Sequence, residues 1–205
     1  MTAAGELECA LRARRSVRRF KDTPVPAELV SRVIEAGTWA PSAGNRQLWE
    51  FTVVIAESVK ERLAEIVRVF WASIAKSTDA GSIVDEIKEY SGSFDWFSQA
   101  PVIVAVSARD PDAYLTHLLG DEAADVAGAK TSAAMAAQNL MLAAHALGLG
   151  TCCLTGPLAA QPDLKQALGL GKRQNLVCLI AMGYPAETPA AQPRRPLREV
   201  MRIVG

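Results

Sequence analysis

The chain has 205 residues, half of them apolar and about a fifth charged, which excludes a disordered polymer and allows a core without disulfides or metals. Lys plus Arg equals Asp plus Glu at 22 each, so no net charge draws the protein to nucleic acid or to a membrane surface. One α+β domain over residues 1–205 is the expectation.

In chain order, Leu7 to Arg15 reads as a first helix stopping in a basic cluster that contains Arg12, Arg14, Arg15, Arg18, Arg19 and Lys21. Pro26 suits the first turn of a second helix, whose apolar residues Leu29, Val30, Val33 and Ile34 recur at helical spacing before Gly37. Residues 40–50, "APSAGNRQLWE", are small, polar and turn-forming, and a β-branched strand over 51–56 follows. Residues 58–76 form an amphipathic helix. Residues 70–100 include an aromatic stretch, "YSGSFDWFSQ", expected to be a lid or a surface excursion. Its Tyr90, Phe94, Trp96 and Phe97 either cover a ligand or pack into the core.

"PVIVAVSA" is a buried strand. An Ala-rich helix runs from about Asp125 to Leu147, then a short strand "GTCCLT", a short helix "PDLKQALGL" and a last strand "LVCLIAMGY". The proline-bearing tail, 185–205, is expected to run over the surface. The pattern gives helices packed on a small sheet. Residues 131–160 carry no Asp, Glu, Lys or Arg, but Gln138, Asn139, His145 and several breakers make a hidden helix a better reading than a membrane span. That helix lies either at a subunit interface, through Ala133, Ala134, Ala136 and Ala137, or in one chain's core.

Cys9, Cys152, Cys153 and Cys178 have neither CxxC nor metal-ligand spacing, so no metal site is expected. Reduced thiols in a cytoplasmic protein are the reading, and no apolar segment follows the N-terminal charges as a secretory signal would. Nucleophilic and hydrolytic apparatus is missing from the pattern. Only His117 and His145 are present, no G-x-S-x-G elbow exists, and His145 sits in the Ala-rich helix as a packing residue. "GLGTCC" superficially suggests a dinucleotide fingerprint, but its glycines close a helix and open a strand, the reverse of what a pyrophosphate site needs.

The basic run "RARRSVRRF" (12–20) has two readings. It can be an exposed helix end stabilised by the macrodipole. It can also be a phosphate site, since guanidinium groups bind phosphate through paired charge-assisted hydrogen bonds and Ser16 adds a hydroxyl. "PRRP" at 193–196 offers a second guanidinium pair.

Together "RRSVRRF", "PVPAELVSRVIEAGTWAPSAGNRQLWEFTVV", "AAQNLMLAAHALGLGTCCLTG" and "LIAMGYPAETPAAQPRRPLREV" resemble the nitroreductase family of FMN-dependent oxidoreductases. The resemblance implies a mainly antiparallel sheet flanked by helices, an intertwined homodimer with FMN at the subunit interface, and NADH or NADPH as reductant. It places Arg14, Arg15 and Ser16 on the phosphate and ribityl chain and Arg18 at the pyrimidine edge of the flavin. Pro41, Ser42, Asn45 and Gln47 belong to the loop that approaches FMN from the partner subunit. Cys153, Leu154, Thr155 and Gly156 match the strand end facing the ring, with main-chain N–H groups of Thr155 and Gly156 near flavin N5 and O4. Arg194 and Arg195 match a C-terminal phosphate clamp, with the choice between them open. Leu48 departs from the proline common there in the family. The implied activity is electron transfer from NAD(P)H to a small electron-poor acceptor, a nitroaromatic or quinone, by a ping-pong mechanism. A same-fold reductive dehalogenase, a flavin-consuming enzyme and a non-catalytic flavin-binding protein are the alternatives.

Overall fold

The computed structural model describes residues 2–77, 85, 92, 95–110 and 125–205. Among the described residues six α-helices and four strands follow one another as α1 (Ala3–Ala13), α2 (Ala27–Thr38), β1 (Trp49–Val54), α3 (Glu57–Lys76), β2 (Val102–Arg109), α4 (Asp125–Ala146), β3 (Gly150–Leu154), α5 (Gln161–Ala167), β4 (Gln174–Gly183) and α6 (Leu197–Val200). The four strands form one antiparallel sheet in the order β1-β2-β4-β3.

The sheet is covered on both faces, which is why β2 and β4 read as continuous apolar runs rather than alternating ones. On one face Val104, Val106, Ile180 and Met182 pack against α2 and α4. On the other Ile103, Ala105, Leu179 and Ala181 pack against α3, α5 and a 3-10 turn at Asp95–Gln99. Each fully buried Leu or Ile contributes about 1.5–3 kcal/mol, so these two layers carry most of the stability.

α2 meets α4 closely because Gly37 lacks a side chain: a Cβ there would lie 3.2 Å from the Ala136 carbonyl oxygen and 3.3 Å from Phe51 Cζ. Ala133, Ala136 and Ala137 are spent on this packing inside the chain, while Ala134 is exposed. The subunit-interface reading of those alanines is therefore corrected in favour of a core helix, since three of the four have no surface left to offer. α4 ends with Gly148 at φ 79, where Leu149 N–H reaches back to the Ala144 carbonyl at 2.8 Å, a glycine stop of the kind the sequence implies. Among the described residues no helix is long and apolar enough to cross a membrane.

Boundaries moved modestly. α1 starts at Ala3 because Thr2 caps it, its Oγ1 accepting from Gly5 N–H at 3.3 Å. β1 begins at Trp49, two residues before the expected start, because Trp49 pairs with Ala108 of β2 and points into the core. Phe97 is fully buried and Trp96 half-buried beside it, with Phe20 6.4 Å from the Trp96 ring. Of the two readings for these aromatics, core packing is the one realised. Tyr90 and Phe94 lie outside the described residues, as does most of the segment expected to be a lid.

Candidate functional site: a basic segment along a sheet edge

The segment after α1 runs beside the exposed edge of β3. Ser16 bridges Thr151 in parallel, and Val17 N–H donates to the Thr151 carbonyl at 3.0 Å. This approach requires Gly150, because a Cβ there would lie 2.9 Å from three carbons of the buried Val17 side chain. Farther on, Lys21 N–H donates to Tyr184 O at 2.8 Å and Ala186 N–H to Arg19 O at 2.9 Å. The basic run is thus stitched to β3 itself and to the residues after β4, which sit about 130–170 positions away in sequence.

Glu187 completes the stitch. Its Oε1 accepts from the main-chain N–H of Arg18 at 2.6 Å and of Arg19 at 3.1 Å, and its Oε2 lies 3.5 Å from Arg19 Nε. These contacts, the Arg18 N–H first, hold its carboxyl below the usual glutamate range. Nothing in "GYPAETP" marks Glu187 in the sequence; only the fold brings it to Arg18.

The arginines divide by role. Arg15 folds back, its Nη1 donating to Arg12 O at 2.5 Å and Arg14 O at 2.9 Å, so it serves the end of α1. Arg18 is exposed and shares its charge with Glu187. The half-buried Arg14 has no acidic partner among the described residues; the groups that feel its charge are Cys152 and Cys153. Arg14 and Arg15 border a cleft of about 240 Å³ together with His145, Thr151 and Glu187. His145 is half-buried on its wall; His117 lies outside the described residues.

β3 then delivers Cys153 and Thr155 exposed, with Leu154 buried and Gly156 half-buried. The 3-10 turn Gly156–Ala160 begins here, and the first N–H groups of any helical turn lack partners inside it. The structure thus brings Arg14, Ser16 and Arg18 together with Thr151–Cys153, Ser16 hydrogen-bonding the Cys152 thiol and Arg18 and Arg14 acting on it through charge.

The loop 41–47 lies elsewhere. Gly44, Asn45 and Gln47 have φ of 58, 52 and 51, three left-handed residues within four. Asparagine tolerates this region, but for glutamine it costs of order 1–3 kcal/mol, a strain typical of binding loops. Ser42 holds the shape, its Oγ accepting from Gln47 N–H at 3.1 Å, while Gln47 Nε2 donates to Asn45 Oδ1 at 3.1 Å. Pro41 is exposed, and Ala43 N–H meets Ser132 Oγ of α4 at 3.4 Å. This loop leads into β1, whereas the basic run borders β3, and the strand order puts those two on opposite edges. Three inter-strand steps separate them, roughly 14 Å.

Among the described residues, the C-terminal arginines make only local contacts. Residues 190–205 are exposed almost throughout. Arg195 is engaged, its Nη2 donating to Glu199 O at 3.2 Å and its Nε lying 3.5 Å from Glu199 Oε2. Arg194 Nη1 donates to the preceding Pro193 carbonyl at 3.4 Å.

A four-stranded antiparallel sheet between helical layers, with a guanidinium unpaired among the described residues and a glycine-permitted close approach at one edge, defines an α+β fold. Comparison with known proteins is then specific. The model of the nitroreductase family matches residues 11–184, and this chain belongs to that family, which makes it an oxidoreductase. NADH dehydrogenase of Thermus thermophilus is 30% identical over 92% of this chain and 91% of its own length. Iodotyrosine deiodinase of Hydra vulgaris is 26% identical over 94% of this chain and 70% of its own length. Among solved structures, a BluB-like flavoprotein of Clostridium difficile superposes with a TM-score of 0.82 at 26% identity, covering 97% of this chain and 99% of that one. A nitroreductase with bound FMN from Bacteroides fragilis gives 0.72 at 25% identity, covering 98% and 99%.

Proposed function

We propose that the protein is an FMN-dependent oxidoreductase that takes electrons from NADH or NADPH and passes them to an electron-poor small molecule, a nitroaromatic or quinone. The observation that carries this reading is the Arg14 guanidinium, without an acidic partner among the described residues, held beside β3 by the Ser16–Thr151 bridge and a few residues from an exposed strand end. The FMN carried by a Bacteroides fragilis relative and the NADH in the name of a Thermus relative support the cofactor and the reductant.

The residues present fit FMN in kind. Arg14 and Ser16 supply a cation and a hydroxyl for a phosphate, and Gly150 keeps the intervening backbone close to the edge. Arg15 is a lesser phosphate ligand than the resemblance implies, because its donors already serve α1. Arg194 rather than Arg195 is the clamp candidate, since Arg195 is tied to Glu199. When bound, FMN would supply two-electron redox chemistry in two half-reactions, one with the nicotinamide and one with the acceptor. Around it, Arg18 sets a fixed positive charge where negative charge develops on the pyrimidine edge, an electrostatic effect of about 2.7–4 kcal/mol for a well-placed donor elsewhere. Glu187 both aims Arg18 and weakens its field. The N–H groups of Thr155 and Gly156 would serve the ring's N5 edge with Cys153 beside them, while Leu154, implied there by the resemblance, is packed into the core on the opposite sheet face.

A single chain offers half of this site. The cleft of about 240 Å³ is below the 300–1,000 Å³ usual for cofactor pockets. The loop with Pro41, Ser42, Asn45 and Gln47 sits on the far sheet edge, so it reaches FMN only from a second copy. A homodimer is therefore part of the proposal. Exposed Leu7, Leu11, Leu197, Val200, Met201 and Ile203 are surface for it to cover.

The test is purification of the full chain. A yellow protein bleached by NADH or NADPH and recoloured by a quinone is expected. A preparation that stays colourless after FMN is added contradicts the reading. The deiodinase relatives favour one second reading, a reductive dehalogenase on the same fold. Slow bleaching by NAD(P)H with fast bleaching by dithionite, and iodide release from an iodophenol, selects it.

A further inference from the structure

Cys153 and Cys178 stand apart from the other thiols. The register pairs Cys153 of β3 with Ile180 of β4, so Cys178, two residues along β4, lies on the same sheet face as the diagonal neighbour of Cys153. Cys153 is exposed and Cys178 is 3% exposed, so one thiol meets solvent and the other waits beneath it. Cys152 points to the opposite face, toward Ser16, and Cys9 lies on α1. Diagonal Cα atoms in a flat sheet stand about 7–8 Å apart, slightly beyond the 4.4–6.8 Å of a disulfide. β4 carries an extra residue, Val177, next to Cys178, because Val106 and Ser107 of β2 pair with Cys178 and Leu176, and such a bulge increases local twist.

We propose that Cys153 and Cys178 form an oxidant-responsive thiol pair, in which Cys153 is attacked first by a peroxide and Cys178 resolves it into a cross-strand disulfide. The Cys153 sulfur attacks one peroxide oxygen; the O–O bond breaks, water leaves and a sulfenic acid forms. The Cys178 sulfur, losing its proton, then attacks the Cys153 sulfur; the S–O bond breaks and a second water leaves. Two thiols give up two electrons and two protons, and the peroxide becomes two waters.

The electrostatics agree with this order. The Cys178 S–H hydrogen bond first, and the Arg14 charge after it, favour the Cys153 thiolate against a desolvation that opposes it. Cys178 is pushed up first by the same hydrogen bond, and oxidation of Cys153 removes the thiolate responsible. Cys153 precedes the Leu154–Gly156 strand end, but the thiol chemistry stands without the flavin reading and is read out without activity.

The experiment is peptide mapping of the full-length protein, reduced, treated with equimolar hydrogen peroxide, alkylated and digested without reductant. A Cys153–Cys178 cross-linked peptide that dithiothreitol reverses is expected, with fragmentation assigning Cys153 over Cys152. Cys178→Ala, whose fold is checked by circular dichroism, is expected to lose the cross-link and leave a dimedone-reactive sulfenic acid at Cys153. Both thiols fully alkylated after oxidation, a link through Cys152 or Cys9, or sulfenic acid persisting at Cys153 in the unsubstituted chain would each overturn the proposal.

Discussion

Arg14 and Arg15 are adjacent in sequence, and the structure gives them different work. Arg15 Nη1 is occupied by two carbonyls at the end of α1, while Arg14 meets no acidic group among the described residues. Losing one charge-assisted hydrogen bond costs about 1.5–3 kcal/mol, roughly 10- to 150-fold in affinity. Arg14→Ala is therefore expected to weaken FMN by that factor in a fluorescence titration, and Arg15→Ala to weaken it less while lowering the helical stability of α1. Equal losses for the two variants would contradict the division of roles. Glu187 gives a pH-dependent companion. Its folded-state pKa is depressed, so its contribution is present above the unfolded glutamate value of about 4.3 and is lost as pH falls through the lower folded value. The melting temperature of the unsubstituted protein is expected to fall between pH 5 and pH 3 more steeply than that of Glu187→Gln, measured by calorimetry in parallel. Parallel curves would show that the Glu187 contacts are not maintained in solution. Neither distinction is visible in "RARRSVRRF", because sequence records which residues are cationic and not which carbonyl or carboxylate each one meets.

At the level of elements, periodicity carried most of the architecture. Val30 and Val33 marked the buried face of α2, and unbroken "VIVAVSA" marked a strand covered on both sides. What it missed depends on contacts distant in sequence. Gly150 looked like a helix-stop glycine, yet that role belongs to Gly148, and Gly150 is small because Val17 packs on it. The four alanines of α4 looked equivalent, yet three are consumed by α2 and the sheet. The Gly150 reading is directly checkable. Gly150→Ala forces its Cβ onto the branched, buried Val17, a clash costing about 1–3 kcal/mol. At roughly 2–4 °C per kcal/mol for a chain of this size, melting is expected to fall by some 2–12 °C. Double replacement Gly150→Ala with Val17→Ala is expected to recover part of that loss, and a variant as stable as the parent would show that residues 16–18 do not pack on β3.

For the whole molecule, the decisive feature is that the residues expected around one FMN lie on opposite edges of the sheet in a single chain. The sequence resemblance implies this division through a partner-subunit role of the 41–47 loop, and the strand order sets that loop and the basic run on different edges. A complementation experiment tests it. Arg14→Ala and Asn45→Ala chains, each deficient in FMN binding alone, are expected to form mixed dimers in which one of two sites has neither substitution. Recovery of about half the bound flavin per mixed dimer is the expected result, and no recovery on mixing would place both residues in the same chain's site.

The most direct measurement of the central claim is a crystal structure of the protein with FMN. It is expected to show the phosphate within hydrogen-bonding distance of Arg14, the ring against Cys153–Gly156, and Ser42 and Asn45 arriving from the second subunit. A phosphate lodged away from Arg14, or a ring contacted by residues of one chain alone, would contradict the account.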